Sequence, residues 1–130
     1  MSGPTTMQRP SPPLPAAPEP VREWLAVDIG DGETLSAADL LRMLDGMRHE
    51  LACRLVGSAG AFIGYDRLTV PQGTVQGPGR VILEARLTGW SERLHDVDYL
   101  AVSVPTGAER PAATDPLLVR GSGRTLHLAC

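Results

Sequence analysis

The chain has no lysine and no asparagine, few aromatic residues and only two cysteines. All twelve of its basic residues are arginine, a bias typical of a GC-rich, bacterial genome. The cysteines, Cys53 and Cys130, are too few for a disulfide framework and do not have the spacing of metal ligands. We therefore expect a reduced, cytoplasmic protein without a metal site.

The chain also has little net charge and no long apolar run. Its formal net charge is −3, which provides no electrostatic attraction for the phosphates of a nucleic acid. No apolar run reaches the roughly 18 residues of a membrane-spanning helix. No apolar segment follows Arg9, whereas a secretory signal has one after its basic residues. The sequence therefore predicts a protein that binds neither nucleic acid nor membranes.

Proline is concentrated at the start of the chain. Residues 1–20 contain seven of the twelve prolines and almost no large apolar side chains. Such a segment cannot bury enough apolar surface to offset the entropy that it would lose on ordering. We expect a disordered proline-rich arm over residues 1–20 and a single α+β domain over residues 21–130, a length suited to one hydrophobic core.

One long amphipathic helix is predicted over residues 37–56. Ser36 is a favourable N-cap residue, and Asp39 places a carboxylate in the first helical turn. Gly57 supplies a stop signal. Apolar residues then recur at spacings of three and four, forming one stripe of Leu40, Leu44, Met47, Leu51 and Leu55.

Alternating apolar and polar residues predict antiparallel strands on both sides of this helix. The predicted strands cover residues 23–29, 61–70, 80–90 and 97–104. Residues 71–79 and 105–116 are loops by composition. The tail, residues 117–129, fits either a hairpin about Gly121-Ser122-Gly123 or one bulged strand.

A strand, a long helix and about four further antiparallel strands, in this order, resemble the hotdog superfamily of acyl-thioester hydrolases and dehydratases. In that superfamily a curved sheet of about five strands wraps one central helix. The resemblance covers about residues 22–129 and rests on element order and length. It implies a homodimer that hydrolyses or binds an acyl thioester of coenzyme A or of an acyl carrier protein, without a cofactor. Dehydration is less favoured, because many dehydratases of the superfamily have a histidine before the helix and no histidine here precedes His49.

The resemblance also implies site residues. A thioester carbonyl would be polarised at the start of the helix, near Ser36, Ala37 and Ala38, where free backbone N–H groups stabilise developing negative charge. An acidic residue on or near the helix would act as base or nucleophile. Asp39 and Glu50 are the candidates that lie at the border of the apolar stripe.

Polar clusters elsewhere have both a functional and a structural interpretation. His95-Asp96-Val97-Asp98 is the densest polar group, and His95 could meet Glu50 or Asp39 in a site. The favoured interpretation is a turn, in which Asp is common. Four arginines could bind the phosphates of coenzyme A, although solvated arginines on a sheet face are more common. They are Arg86, Arg93, Arg120 and Arg124.

A second family has the same order of elements. Cystatin-like domains insert a Gln-x-Val-x-Gly hairpin into a protease cleft, and this chain has Gly73-Thr74-Val75-Gln76-Gly77 at the corresponding loop. Val and Gly match, whereas Gln72 lies one residue too early. The alternative function is therefore a non-enzymatic protein-interaction module, cystatin-like or otherwise.

Overall fold

One helix and seven strands make up the described part of the protein, which is a computed structural model covering Leu14 and residues 21–127. The predicted proline-rich arm, apart from Leu14, lies outside the described residues. In chain order the elements are β1 (Arg22–Ile29), β2 (Thr34–Ser36), α1 (Ala37–Val56), β3 (Ala61–Thr69), β4 (Thr74–Gln76), β5 (Gly79–Trp90), β6 (Leu94–Val104) and β7 (Leu117–Leu126).

Local capping signals define both ends of α1, as predicted from the sequence. The Ser36 hydroxyl accepts a hydrogen bond from the Asp39 backbone N–H, and the Asp39 carboxylate accepts one from the Ser36 N–H. This reciprocal pair satisfies two backbone donors that a helix start otherwise leaves unpaired. At the other end Gly57 takes a left-handed conformation, with φ of 80°, and its N–H donates to the Cys53 carbonyl.

The five long strands form an antiparallel sheet in the order β1-β5-β6-β7-β3. The strands that flank α1 in sequence, β1 and β3, therefore occupy the two opposite edges of the sheet. The helix packs across one sheet face and carries the chain between those edges. This arrangement confirms the predicted α+β class with one long helix on a sheet of about five strands.

The core lies between α1 and this inner sheet face. Four members of the predicted apolar stripe, Leu40, Leu44, Met47 and Leu51, are buried against alternate residues of the central strands. Leu55, at the end of the stripe, is instead 40% exposed. The core residues that are at most 2% exposed include Leu40, Leu44, Leu51, Val81, Leu83, Ala85, Ala101, Leu118 and Val119. The outer face has only a smaller cluster of Ile82, Val102 and Val104, on which Ala108 of the 105–116 connection packs. Leu100 and Leu117 also pack on this cluster, and the other side chains of that face are mostly polar.

The predicted loop over residues 71–79 contains an unexpected short strand. β4 pairs with β2, immediately before the helix, and Val75 is buried in the main core. The Gly73 carbonyl accepts a hydrogen bond from the Ala37 N–H at 2.8 Å. The segment therefore braces the start of α1 and is not a free hairpin, so the cystatin-like alternative loses its insertion loop. Three-residue strands are too short for the alternation pattern to detect.

The residues His95 to Asp98 belong to strand β6, which corrects the turn interpretation. Two hydrogen bonds between Ser91 and Leu94 close the β5–β6 connection before His95: the Ser91 N–H donates to the Leu94 carbonyl, and the Leu94 N–H donates to the Ser91 hydroxyl. His95 and Val97 then point into the protein and are buried. The alternation of the sequence thus continues three residues further back than predicted.

The tail forms one strand, β7, which settles the choice between a hairpin and a bulged strand. Gly121 and Gly123 pair with β6 on one side and β3 on the other. An added Cβ at Gly121 would lie 2.8 Å from the Arg67 carbonyl oxygen, so the glycine allows close approach of β3. β7 has a β-bulge at Leu118, because Ala101 pairs with Val119 and Val102 with Leu117, which leaves Leu118 without a partner in β6.

Candidate functional site

A groove lies between edge strand β1 and the side of α1 that faces it. Its volume is about 330 Å³. Leu25 of β1 contributes the apolar side chain of the strand side and is 40% exposed. The helix contributes Met43, Gly46, Met47 and Glu50. Large exposed apolar side chains that line a concavity indicate a binding site.

Gly46 keeps the groove open at the helix surface. A Cβ built at this position would meet no heavy atom within 4 Å, so the space above it is free. A glycine inside a helix costs about 1 kcal/mol of stability relative to alanine. The chain thus carries a destabilising residue at the point where a side chain would project into the groove.

Glu50 supplies a carboxylate to the same groove, one helical turn beyond Gly46. It is exposed, and within the described residues it forms no ion pair. Glu23, the other acidic residue of the groove, is instead paired with Arg54 at 2.7 Å. Glu50 is therefore the carboxylate that stays available to a ligand, and the structure places it beside Met43, as the helix pattern predicts.

The start of the helix is occupied by internal hydrogen bonds. The N–H groups of Ser36 and Ala37 donate to the Asp39 carboxylate at 2.9 Å and to the Gly73 carbonyl at 2.8 Å. The backbone and side-chain hydrogen bonds to Ser36 lower the pKa of Asp39, with a smaller contribution from Arg42. This corrects the prediction for Ser36 and Ala37, since neither N–H is free for a thioester carbonyl, and it gives Asp39 a capping role.

His95 lies apart from Glu50 and Asp39, in a buried pair with His127. The His127 Nε2 and His95 Nδ1 atoms are 3.0 Å apart, and the two residues are 6% and 2% exposed. Within the described residues no hydrogen bond joins His95 to either carboxylate. The pair belongs to β6 and to the end of β7, whereas the groove lies at β1, so the predicted meeting of His95 with Glu50 does not occur.

The two imidazole rings hydrogen-bond to each other and to no other side chain among the described residues. Their outer nitrogens, His95 Nε2 and His127 Nδ1, have no hydrogen-bond partner in the described part of the chain. Burial lowers the pKa of both rings; the neighbouring His127 lowers the pKa of His95 further, and Arg48 does the same for His127. The pair is therefore neutral at pH 7 and forms part of the protein interior. The sequence pattern did not reveal this pairing.

Arg48 is a buried polar residue that sequence reasoning missed. It is only 5% exposed, and its guanidinium donates to the Ala59 carbonyl at 2.7 Å and to Asp45 at 2.9 Å. It also approaches the Thr125 hydroxyl at 3.5 Å. These contacts tie the helix to the start of β3 and to β7. The available signal was the position of Arg48, one turn after Leu44 in the buried stripe.

The predicted arginine set does not gather at the groove. Arg86 and Arg120 lie on the outer sheet face, away from the helix. Arg124 is paired with Asp96 at 2.7 Å. Arg93 lies exposed in the β5–β6 connection, where its carbonyl accepts from the His127 N–H. Arg86 and Arg93 therefore do not form one phosphate-gripping rim.

Two classes of site have no support within residues 21–127. No group of three or more His, Cys, Asp and Glu side chains there could hold a metal ion. The helix of this part is not apolar enough to cross a membrane.

Two solved structures are similar to the fold described above. Beta-alanyl-CoA:ammonia lyase from Clostridium propionicum superposes with a TM-score of 0.66, covering 83% of this chain and 85% of that chain at 12% identity. The dehydratase heterocomplex ApeI:P from Xenorhabdus doucetiae superposes with a TM-score of 0.54, covering 83% and 76% at 12% identity. No protein-family profile and no curated protein sequence matches the chain. At this identity the likeness is one of fold, and the fold is of the hotdog type that the order of elements predicted.

Proposed function

We propose that this protein binds an acyl thioester, carried by coenzyme A or by an acyl carrier protein, in the groove between β1 and α1, and hydrolyses it. The observation that carries the proposal is the unpaired Glu50 carboxylate beside the space above Gly46. The fold supports the substrate class, because a lyase named for a CoA thioester has a similar fold. Fold alone does not fix function, so the residues of the groove carry the argument.

The groove suits both the acyl group and the reactive carbonyl of an acyl thioester. Met43, Met47 and Leu25 offer apolar surface to an acyl group, and its volume of about 330 Å³ is at the small end for ligand sites. In the proposed hydrolysis, the Glu50 carboxylate accepts a proton from water while the water oxygen attacks the thioester carbonyl carbon. The carbon–sulfur bond then breaks, and the thiolate takes up the proton. The products are a carboxylic acid and a thiol.

Substitutions at Gly46 test whether the ligand occupies the groove. Gly46→Leu fills the free space and is expected to weaken binding of a short-chain acyl-CoA thioether, which cannot be hydrolysed, by more than tenfold. Gly46→Ala is the matched control. It should retain binding and raise the free energy of unfolding by about 1 kcal/mol, because alanine favours helix. Isothermal titration calorimetry measures the affinities.

Substitution of Glu50 tests the reaction. Glu50→Gln keeps the shape of the side chain but cannot accept a proton, so thioester hydrolysis should fall by about 100-fold or more while thioether binding persists. Glu92→Gln, which removes an exposed carboxylate from the β5–β6 connection, should hydrolyse normally. Equal hydrolysis by Glu50→Gln and the native protein, or no binding and no turnover across a panel of acyl thioesters, contradicts the proposal.

We further propose that two copies associate through the edge strand β3. This strand leaves one side unpaired in the sheet, and it exposes Ile63 and Leu68 at 59% and 41%. Exposed apolar edge strands favour pairing with another chain. Sedimentation velocity should therefore give about twice the monomer mass of 13.8 kDa, and Ile63→Lys should shift it toward one monomer mass. A monomeric native protein would contradict this assembly.

A further inference from the structure

Two rows of mostly polar side chains cross the outer sheet face, on the side away from α1. The strand register aligns them from β1 through β5, β6 and β7 to β3. The first row is Arg22, Arg86, Asp98, Ser122 and Arg67. The second row is Trp24, Glu84, Leu100, Arg120 and Thr69. A depression of about 560 Å³ lies over the part of these rows between β5 and β3; we call it the outer basin.

The arginines of the outer basin differ in how far they are neutralised. At the β5 side, Glu84 is paired with Arg22 at 3.3 Å, and Asp98 lies 3.8 Å from Arg86. At the β3 side, Arg67 and Arg120 have no carboxylate within 4.0 Å among the described residues. The positive charge of the basin is therefore concentrated at one end.

This end has the donors that an oxyanion requires. Arg67 and Arg120 occupy adjacent strands at diagonal positions, about 7–8 Å apart at the backbone by normal sheet geometry, within joint reach of one group. Thr69, beside Arg120 in the second row, and Ser122, beside Arg67 in the first, add two hydroxyl donors. Guanidinium groups bind phosphate with paired N–H donors, and the interaction is stronger than between neutral groups.

We propose that the outer basin binds a phosphorylated small molecule, with its phosphate held by Arg67 and Arg120 and by the hydroxyls of Thr69 and Ser122. Leu100 is the basin's aliphatic side chain, so the lining favours a polar anion over an acyl chain. The site lies on the sheet face opposite the groove that contains Glu50. It is therefore a second site, independent of the thioester site.

Calorimetric titration of the full chain with inorganic diphosphate, at low ionic strength, tests the proposal. Diphosphate should bind, and added salt should weaken its binding because solvent-accessible charges are screened by salt. Arg67→Gln and Arg120→Gln should each weaken it by about tenfold or more, since each removes one charged donor pair. Arg42→Gln, an equal charge change on the exposed side of α1, is the control and should bind as the native protein does.

Further arms identify the source of the phosphate and separate the two sites. Tighter binding of adenosine 3′,5′-bisphosphate than of diphosphate, again lost in Arg120→Gln, supports a nucleotide ligand in the basin. Gly46→Leu should leave diphosphate binding unchanged, whatever its effect on thioesters. Melting curves confirm that each variant is folded.

Four results would overturn the proposal: no diphosphate binding, an equal loss in Arg42→Gln, a loss in Gly46→Leu, or unchanged affinity in both basin variants. If the basin variants keep their affinity and instead change the sedimentation mass, the outer basin is a contact between subunits and not a phosphate site.

Discussion

Gly77→Ala is expected to destabilise the fold by about 3 kcal/mol, because a side chain at this position would collide with backbone. A Cβ there would overlap the Gly30 carbonyl oxygen and lie 2.8 Å from that of Ile29. Neither atom can rotate away as the end of a side chain could. Gly77 also donates its N–H to the Glu33 carbonyl, which extends the β2–β4 pairing by one residue beyond Thr34 and Gln76.

Gly73→Ala is the matched control in the same connection. A Cβ at Gly73 would meet nothing within 4 Å, so the free energy of unfolding should change by no more than about 0.5 kcal/mol. Urea unfolding followed by circular dichroism measures both variants. Equal midpoints for the two variants would show that the close approach at Gly77 does not constrain the fold. A large difference would confirm that the close approach of Gly77 to Gly30 and Ile29 constrains the fold.

Acidification from pH 7.5 to pH 5 is expected to lower the free energy of unfolding through the buried histidine pair. In the unfolded chain a histidine binds its proton near pH 6.5, whereas burial lowers the pKa of His95 and His127 in the fold. Below pH 6.5 the unfolded state therefore binds more protons, and stability falls as pH falls. The slope is at most about 1.4 kcal/mol per pH unit for each histidine. Above pH 7.5 both rings are neutral in both states, and this contribution is constant.

Urea unfolding at pH 7.5, 6.5, 5.5 and 5.0 measures this dependence. His49→Gln removes an exposed histidine and should keep the full slope, whereas His127→Gln should reduce it. Most unfolded-state carboxylates remain ionised above about pH 5, so the histidines dominate this range. The decisive measurement is on the native sequence. A free energy of unfolding that is constant between pH 7.5 and 5.5 would contradict a buried, neutral histidine pair.

The candidate site was partly predictable from the sequence. Helical periodicity placed Glu50 and Met43 together at the border of the apolar stripe, because residues on one helix face follow from the 3.6-residue repeat alone. The same reasoning could not say that β1 would lie opposite them with Leu25. It also placed Asp39 correctly in the first turn but could not decide between a capping and a chemical role, since that depends on which donors the folded chain leaves free.

The partners of distant residues depended on the sheet. His95 and His127 are 32 positions apart, and Arg48 and Thr125 are 77 apart. Their contacts require the β6–β7 pairing and the crossing of α1 over the sheet. The outer basin has the same origin, because the strand register alone brings Arg67 beside Ser122 and Arg120 beside Thr69.

The sequence by itself determined the helix, its two caps, the positions of β1, β3 and β5 and the hotdog order of elements, because hydrogen bonds within a few residues and side-chain periodicity govern these features. Tertiary structure decided the short β2–β4 pair, the burial of Arg48 and the histidines, the groove beside Glu50 and the outer basin. Each of these depends on which strand lies beside which, and that order results from packing of the whole core and not from any local pattern.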